Sequence, residues 1–160
     1  MNRAFHIVGW GYVTVCVALV FSPLRSSVSR GTSFVVTRAA SVTPGSSGAE
    51  WFRRAKPYCN AVEVATLQQR AEAPRTAEGQ GYRAACSALA GRIDDARRVI
   101  DALPADQRVH AAHVVFEVGH PVADAGDDRS AGPIMELVVD YWPEHHMALY
   151  HAGMAEYMLG

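Results

Sequence analysis

The apolar positions from residue 49 to the C-terminus recur with the spacing of one face of an α-helix. In the segment that begins near Ala49, Pro57 interrupts the helical spacing of apolar residues. This segment therefore predicts a short helix, a kink and a second helix. A loop is expected at Ala73–Gly79, and no strand is expected in residues 49–160. Further helices are predicted near Gln80–Ala90, Asp94–Ala102, Asp106–Gly119, Ser130–Tyr141 and Glu144–Leu159.

Three glycines divide this part of the chain into similar units. Gly126 follows Gly91 by 35 residues, and Gly160 follows Gly126 by 34. A period near 34 residues is typical of stacked helical hairpins. The positions that repeat in register are Ala84, Leu89, Ala96, Ile100 and Leu103 in the first unit and Gly119, Asp124, Ala131, Met135 and Val138 in the second.

Each of these glycines is expected to close the first helix of its hairpin, because glycine adopts a positive φ at little steric cost. Acidic pairs follow Gly91 and Gly126, where carboxylates suit the N-terminus of the next helix. Small residues are expected where paired helices come closest. They are Ala84, Gly119 and Gly153 in the first helices and Ala96 and Ala131 in the second helices.

Pro121 stands inside the first helix of the second unit. A proline there removes the hydrogen bond to Glu117 and clashes with its carbonyl, so we expect the helix to end early or kink at Gly119–His120. Two consequences stay open: a kink that shapes a pocket, or a tolerated kink with Val122 and Ala125 still packed.

The spacing resembles the tetratricopeptide repeat (TPR) family. The resemblance covers about half of the chain, is weaker in Ala77–Ala111, and leaves only a first helix in His146–Gly160. It implies an all-α fold in which antiparallel helical hairpins stack as a short TPR-like solenoid over residues 49–160. The best match is Ala112–His145, with Val115, Val118, Gly119, Gly126, Ala131, Met135, Val138 and Pro143 at the motif positions.

The same resemblance implies a binding scaffold rather than an enzyme. TPR stacks bind extended peptides on a concave face lined by first helices, so a protein or peptide ligand is expected there. Methionine and aromatic side chains would make this groove apolar and adaptable. Alternatively, the methionine and tyrosine side chains of the last helix pack against a further helix. The residues expected on the face are His113, Phe116, His120, Asp124, Met147, Tyr150, Met154 and Tyr157.

The N-terminal segment predicts a membrane anchor. Residues 4–24 contain no charged side chain, and about 20 apolar residues suffice to span a bilayer as a helix. Arg3 and Arg25 flank the run, and Trp10 and Tyr12 are aromatics of the kind enriched at membrane interfaces. Residues 1–24 are therefore expected to form one transmembrane helix, with a cleaved signal peptide or a buried soluble helix as alternatives.

Residues 25–48 are rich in serine, threonine, glycine and proline and predict a flexible linker. Arg25, Arg30 and Arg38 favour a cytoplasmic repeat domain by the positive-inside rule. The very short N-terminal tail is instead typical of a signal anchor, which exports the C-terminal part of the chain. We expect a single-pass membrane protein with its repeat domain on the extracytoplasmic side.

The charge and the known catalytic motifs narrow the function classes. The net charge of −1 gives no electrostatic footprint for nucleic acid. No Walker loop, GxSxG or dinucleotide fingerprint is present, and neither an enzymatic activity nor a cofactor is expected.

Histidines supply the main alternative function. Imidazoles from adjacent helices can bind zinc or another borderline metal. Neither an HExxH motif nor a His-x-x-x-His pair is present, so groove or surface histidines are expected and a metal-binding protein or metal-dependent enzyme is the alternative. His110, His113 and His120 lie on or near one predicted helix, and His145, His146 and His151 on or near the next.

Cys59 and Cys86 carry no motif, and two interpretations stay open. They form a disulfide if the domain is exported, or they pack as buried thiols if it is cytosolic.

The last helix lacks the second helix of its hairpin. Either the chain is a fragment of a larger TPR protein, or another chain covers this helix, including by self-association.

Overall fold

The computed structural model describes residues 47–160, and the regular elements among these residues are all helices, with no strand. The prediction of an all-α fold is confirmed for this part. The predicted anchor, residues 1–24, and nearly all of the predicted linker, residues 25–48, lie outside the described residues. No helix within 47–160 combines the length and the apolar character needed to cross a bilayer. The α-helices are α1 (Gly48–Ala55), α2 (Val64–Arg70), α3 (Ala77–Leu89), α4 (Ile93–Asp101), α5 (Ala105–Asp124), α6 (Asp128–Tyr141) and α7 (His146–Leu159), with a 3₁₀ helix at Lys56–Tyr58.

The turns between α3 and α4 and between α5 and α6 are built as the sequence predicts. Gly91 and Gly126 have φ values of 73° and 77°, which side chains bearing a Cβ rarely adopt. The Asp127 side chain accepts a hydrogen bond of 3.2 Å from the Ser130 N–H at the start of α6. These turns fold each pair of helices into a tight hairpin.

The main hydrophobic core lies among α3 to α7. α5 packs against α3 and α6, and α6 also packs against α7. Ala84, Ala96 and Ala131 are buried, as their small side chains predict. The large side chains that fill this core are Ile100, Val115, Ile134, Met135, Leu137 and Val138.

A second cluster covers the open end of this core, where α1 and α2 pack beside α3. Trp51 is fully buried there, and its indole N–H donates a hydrogen bond of 3.2 Å to the Ala71 carbonyl. Cys59 and Cys86 form a disulfide with their Cα atoms 4.8 Å apart. Of the two interpretations left open by the sequence, the structure forms the disulfide, which ties the loop after the 3₁₀ helix to α3.

Glycine permits close helix contacts at the predicted position Gly119 and at further positions that were not predicted. A Cβ on Gly119 would lie 2.5 Å from Ile134 Cγ2, so this contact between α5 and α6 needs glycine. The prediction for Gly153 is wrong, because a Cβ there would meet nothing within 4 Å. The contact between α6 and α7 is made instead by Gly132, where a Cβ would lie 2.8 Å from Ala155 Cβ.

Pro121 does not end α5, which continues to Asp124, so the prediction of an early end is wrong. Pro121 is exposed, and its own carbonyl accepts the Ala125 N–H at 3.2 Å, so the helix continues beyond the missing donor. Val122 is half-buried, but Ala125 is exposed rather than packed. The continuous helix keeps Asp124 one turn after His120, on the same side of α5.

Candidate functional site

The candidate site lies where the second half of α5 faces the start of α7. Phe116 on α5 is buried, and its ring centroid lies 4.8 Å from that of His120 and 4.1 Å from that of His145. The Trp142 ring meets His145 edge-on, with 4.4 Å between centroids. These contacts fix the direction in which α7 begins.

His145 caps α7 with a ring nitrogen. Its Nδ1 accepts a hydrogen bond of 3.1 Å from the Ala148 N–H, an unusual choice for an N-cap residue. Burial lowers the pKa of His145, and the neighbouring histidines lower it further, against an opposing effect of a hydrogen bond to the residue's own backbone. The neutral ring is the form that can accept this bond, so the cap and the pKa direction agree.

Three side chains converge beside this aromatic cluster, and we name them the His–Asp–His triad: His120 and Asp124 on α5 and His151 on α7. The Asp124 Oδ1 atom lies 3.5 Å from His120 Nε2 and 3.8 Å from His151 Nε2. Both Nε2 atoms are buried and find no hydrogen-bond partner among the described residues. The three donor atoms lie within 4.8 Å of one another.

The outer side of α7 carries an apolar face, which we define by the side chains of Met147, Tyr150, Met154, Tyr157 and Met158. Their spacing of three and four residues places them on one side of the helix. All are exposed except Met147, which is half-buried and packs against the main core.

The predicted concave-face residues therefore divide between the triad, the aromatic cluster and this face. His120 and Asp124 belong to the triad, and Tyr150, Met154 and Tyr157 are exposed on α7. Phe116 contributes to the core, so little of its ring is available to a ligand. His113 is half-exposed beside Glu117, with its Nε2 atom 3.7 Å from Glu117 Oε1.

The other side of α7 borders an open groove of about 540 Å³, which the sequence did not predict. α7 contributes Leu149, Gly153 and Glu156 to it. Arg97 and Asp140, which form an ion pair of 2.5 Å across α4 and α6, line its opposite wall. This wall is charged, in contrast to the apolar face.

Sequence reasoning named His120 and His151 among six histidines of the alternative metal site, and Asp124 on the ligand face, but it did not join these three residues in one site. The spacing of His120 and Asp124, four residues apart on a predicted helix, was a readable signal that both face the same way. The position of His151 depends on how α7 packs against α5 and α6, and no local pattern encodes that packing. The contact between the Trp142 and His145 rings, three residues apart in the turn before α7, was not predicted either.

Comparisons with known proteins add no relative to this picture. The chain finds no match among protein-family models, curated proteins or solved structures. What the site does is therefore inferred from the geometry of α5 and α7.

Proposed function

We propose that this chain is a membrane-tethered TPR-like scaffold that binds a protein or peptide segment on the apolar face of α7 and the adjoining side of α5. The observation that carries the proposal is the exposure of large apolar side chains on one side of one helix. Tyr150 is 57% exposed, Tyr157 is 81% exposed, and Met154 and Met158 lie between and beside them. Contiguous exposed apolar surface commonly marks an interaction site.

The chemistry of this face suits a segment that presents apolar side chains. Methionine side chains adapt to ligands of different shape because they are unbranched and flexible. Tyrosine rings add large contact area with a polar tip. We therefore expect the ligand to be a peptide whose apolar side chains recur at alternate turns of a helix or at alternate residues of an extended segment. Polar groups of this peptide would lie near Asp124 and His113.

The helical hairpins support the TPR-like part of the proposal. α3 with α4, and α5 with α6, each turn at a glycine of positive φ, and α5 packs on α3 as successive first helices do in a stacked array. We propose that α7 is the first helix of a third hairpin, which packs mainly on α6 and only over a short stretch on α5. In this interpretation the apolar face belongs to the concave side of the stack.

The membrane tether rests on the uncharged run of residues 4–24, and the disulfide supports an extracytoplasmic domain. Disulfides persist in oxidising compartments and are rare in the cytosol. Alkaline carbonate extraction of membranes from expressing cells should leave the full-length chain in the pellet. Release into the supernatant would contradict the tether without bearing on the peptide-binding face.

The binding proposal is tested with peptides selected from a display library against the full-length chain in mild detergent. The double variant Tyr150→Ala/Tyr157→Ala should weaken the selected peptides at least tenfold by calorimetry, because it removes the two largest exposed rings of the apolar face. Leu149→Ala is the matched control, since Leu149 is an exposed apolar residue on the opposite side of α7. It should change the Kd less than twofold.

Two results would contradict the proposal. One is equal binding by the double variant and the wild type while circular dichroism shows an intact fold. The other is a wild-type dimer that the double variant converts to a monomer, because the apolar face would then be an interface between two copies of this chain.

A further inference from the structure

We propose that the His–Asp–His triad binds one divalent transition-metal ion of the zinc class, held between α5 and α7. Two imidazole nitrogens and one carboxylate oxygen form a donor set that zinc accepts in proteins. Borderline metals favour imidazole, whereas magnesium and calcium favour sites made of oxygen atoms. The inference does not depend on peptide binding by the apolar face.

The distances suit a tetrahedral ion. Zinc bonds of about 2.0–2.1 Å place tetrahedral ligand atoms about 3.3–3.5 Å apart. Asp124 Oδ1 lies 3.5 Å from His120 Nε2 and 3.8 Å from His151 Nε2, so small rotations of these side chains would bring them into range. The third distance, between the two imidazole nitrogens, lies within 4.8 Å, so these two atoms must approach each other further than the carboxylate oxygen does, to about 3.3–3.5 Å.

The unpartnered nitrogens are the second observation. A buried polar atom without a hydrogen bond is destabilising, so native proteins rarely leave one unexplained. Here two such atoms, Nε2 of His120 and Nε2 of His151, lie beside the same carboxylate oxygen. One metal ion would satisfy both atoms at once.

Neighbouring rings hold the two imidazoles in place. Phe116 stacks on His120, and Tyr150 lies edge-on to His151 with 5.1 Å between centroids. His151 is only 12% exposed, whereas Asp124 is 60% exposed. The neighbouring rings thus restrict the imidazoles to small rotations, and the open fourth position of the ion lies toward solvent on the Asp124 side.

The ion would also connect two helices that otherwise share little contact. α7 packs mainly on α6 and touches α5 over a short stretch. A bond from His151 to a metal held by His120 and Asp124 would fix α7 against α5. Metal binding should therefore raise the Tm of the protein, because it stabilises the folded state only.

The test is a calorimetric titration of ZnCl₂ into the full-length chain, stripped of metal with EDTA and dialysed. We expect one zinc ion per chain, a rise in Tm on zinc addition, and a tetrahedral absorption spectrum when Co²⁺ is used instead. His151→Ala and Asp124→Asn should each weaken zinc binding at least tenfold and abolish the rise in Tm. Asp124→Asn serves as the second variant because Asp124 is largely exposed and its loss should leave the fold intact.

His110→Ala is the matched control, because His110 is an exposed histidine of α5 outside the triad. It should bind zinc as the wild type does. Absence of stoichiometric zinc binding by the wild type would overturn the proposal. Zinc binding that survives both His151→Ala and Asp124→Asn would also overturn it, because other histidines would then hold the ion.

Discussion

Removing the disulfide should destabilise the helical domain more than any surface change. Cys59 and Cys86 are separated by 27 residues, and the loop they close contains all of α2 and most of α3. In the chain-entropy description, closing a loop of this length restricts the unfolded state by about 12 cal/mol/K, or about 3.5 kcal/mol at 25 °C. The double variant Cys59→Ala/Cys86→Ala is expected to lose about this free energy of unfolding.

The assay is urea unfolding of residues 47–160 followed by circular dichroism at pH 7. With an m value of about 1.2 kcal/mol/M, the loss corresponds to a midpoint lower by about 3 M urea. The control is the wild type measured with and without a reducing agent, which should reproduce the same loss without any substitution. A loss below about 1 kcal/mol in both comparisons would refute the reasoning, because the unfolded state would then gain little freedom from the open loop.

Three further predictions concern single side chains in the same unfolding assay. Gly119→Ala should lower the free energy of unfolding by about 1–3 kcal/mol, because the new Cβ would meet Ile134. Gly153→Ala should leave it unchanged or raise it by up to about 1 kcal/mol, since space is open there. Equal effects of the two substitutions would contradict the close contact between α5 and α6. The pKa of His145 is lowered in the folded protein, so the unfolded chain binds more protons and the stability from the cap should be lost as the pH falls below about 6.5. His145→Asn, which caps without titrating near that pH, should flatten this dependence, and an unchanged slope would contradict the role of the cap. Trp51→Phe should cost about 2–4 kcal/mol, because it leaves a cavity and an unpaired Ala71 carbonyl, and a cost below about 1 kcal/mol would contradict that packing.

The sequence predicted the helices and their turns because these depend on local chemistry. Gly91 and Gly126 adopt the positive φ expected of them, and Asp127 caps the next helix. Such features need only the residues within one or two turns of the chain. The hairpin architecture was therefore readable from the order of glycines, acidic caps and apolar positions.

The errors lie where packing between helices decides the outcome. Glycine was expected to give α7 its close contact through Gly153, but the facing helix supplies the gap through Gly132. Either residue satisfies a sequence pattern, and only the rotation of α7 about its axis chooses between them. The effect of Pro121 was overestimated, because the helix near its end loses one hydrogen bond and still continues to Asp124.

The candidate site shows the same limit. Five of its predicted residues could be proposed from helical spacing and a resemblance to TPR proteins: His120, Asp124, Tyr150, Met154 and Tyr157. The meeting of His151 with His120 joins two helices, and it could not be derived without their packing. Phe116 was assigned to a ligand surface by the resemblance to TPR proteins, yet the packing of α5 buries it, with its ring against that of His145.

The measurement that tests the proposed binding surface most directly is photo-crosslinking of a selected peptide that carries a benzophenone side chain at its central apolar position. After irradiation with the full-length chain, mass spectrometry identifies the residues that carry the adduct. The account predicts adducts on the apolar face of α7, at Met154 or Met158, because these side chains lie between and beside the exposed tyrosines. Adducts confined to the groove on the opposite side of α7, at Leu149 or Glu156, would contradict it.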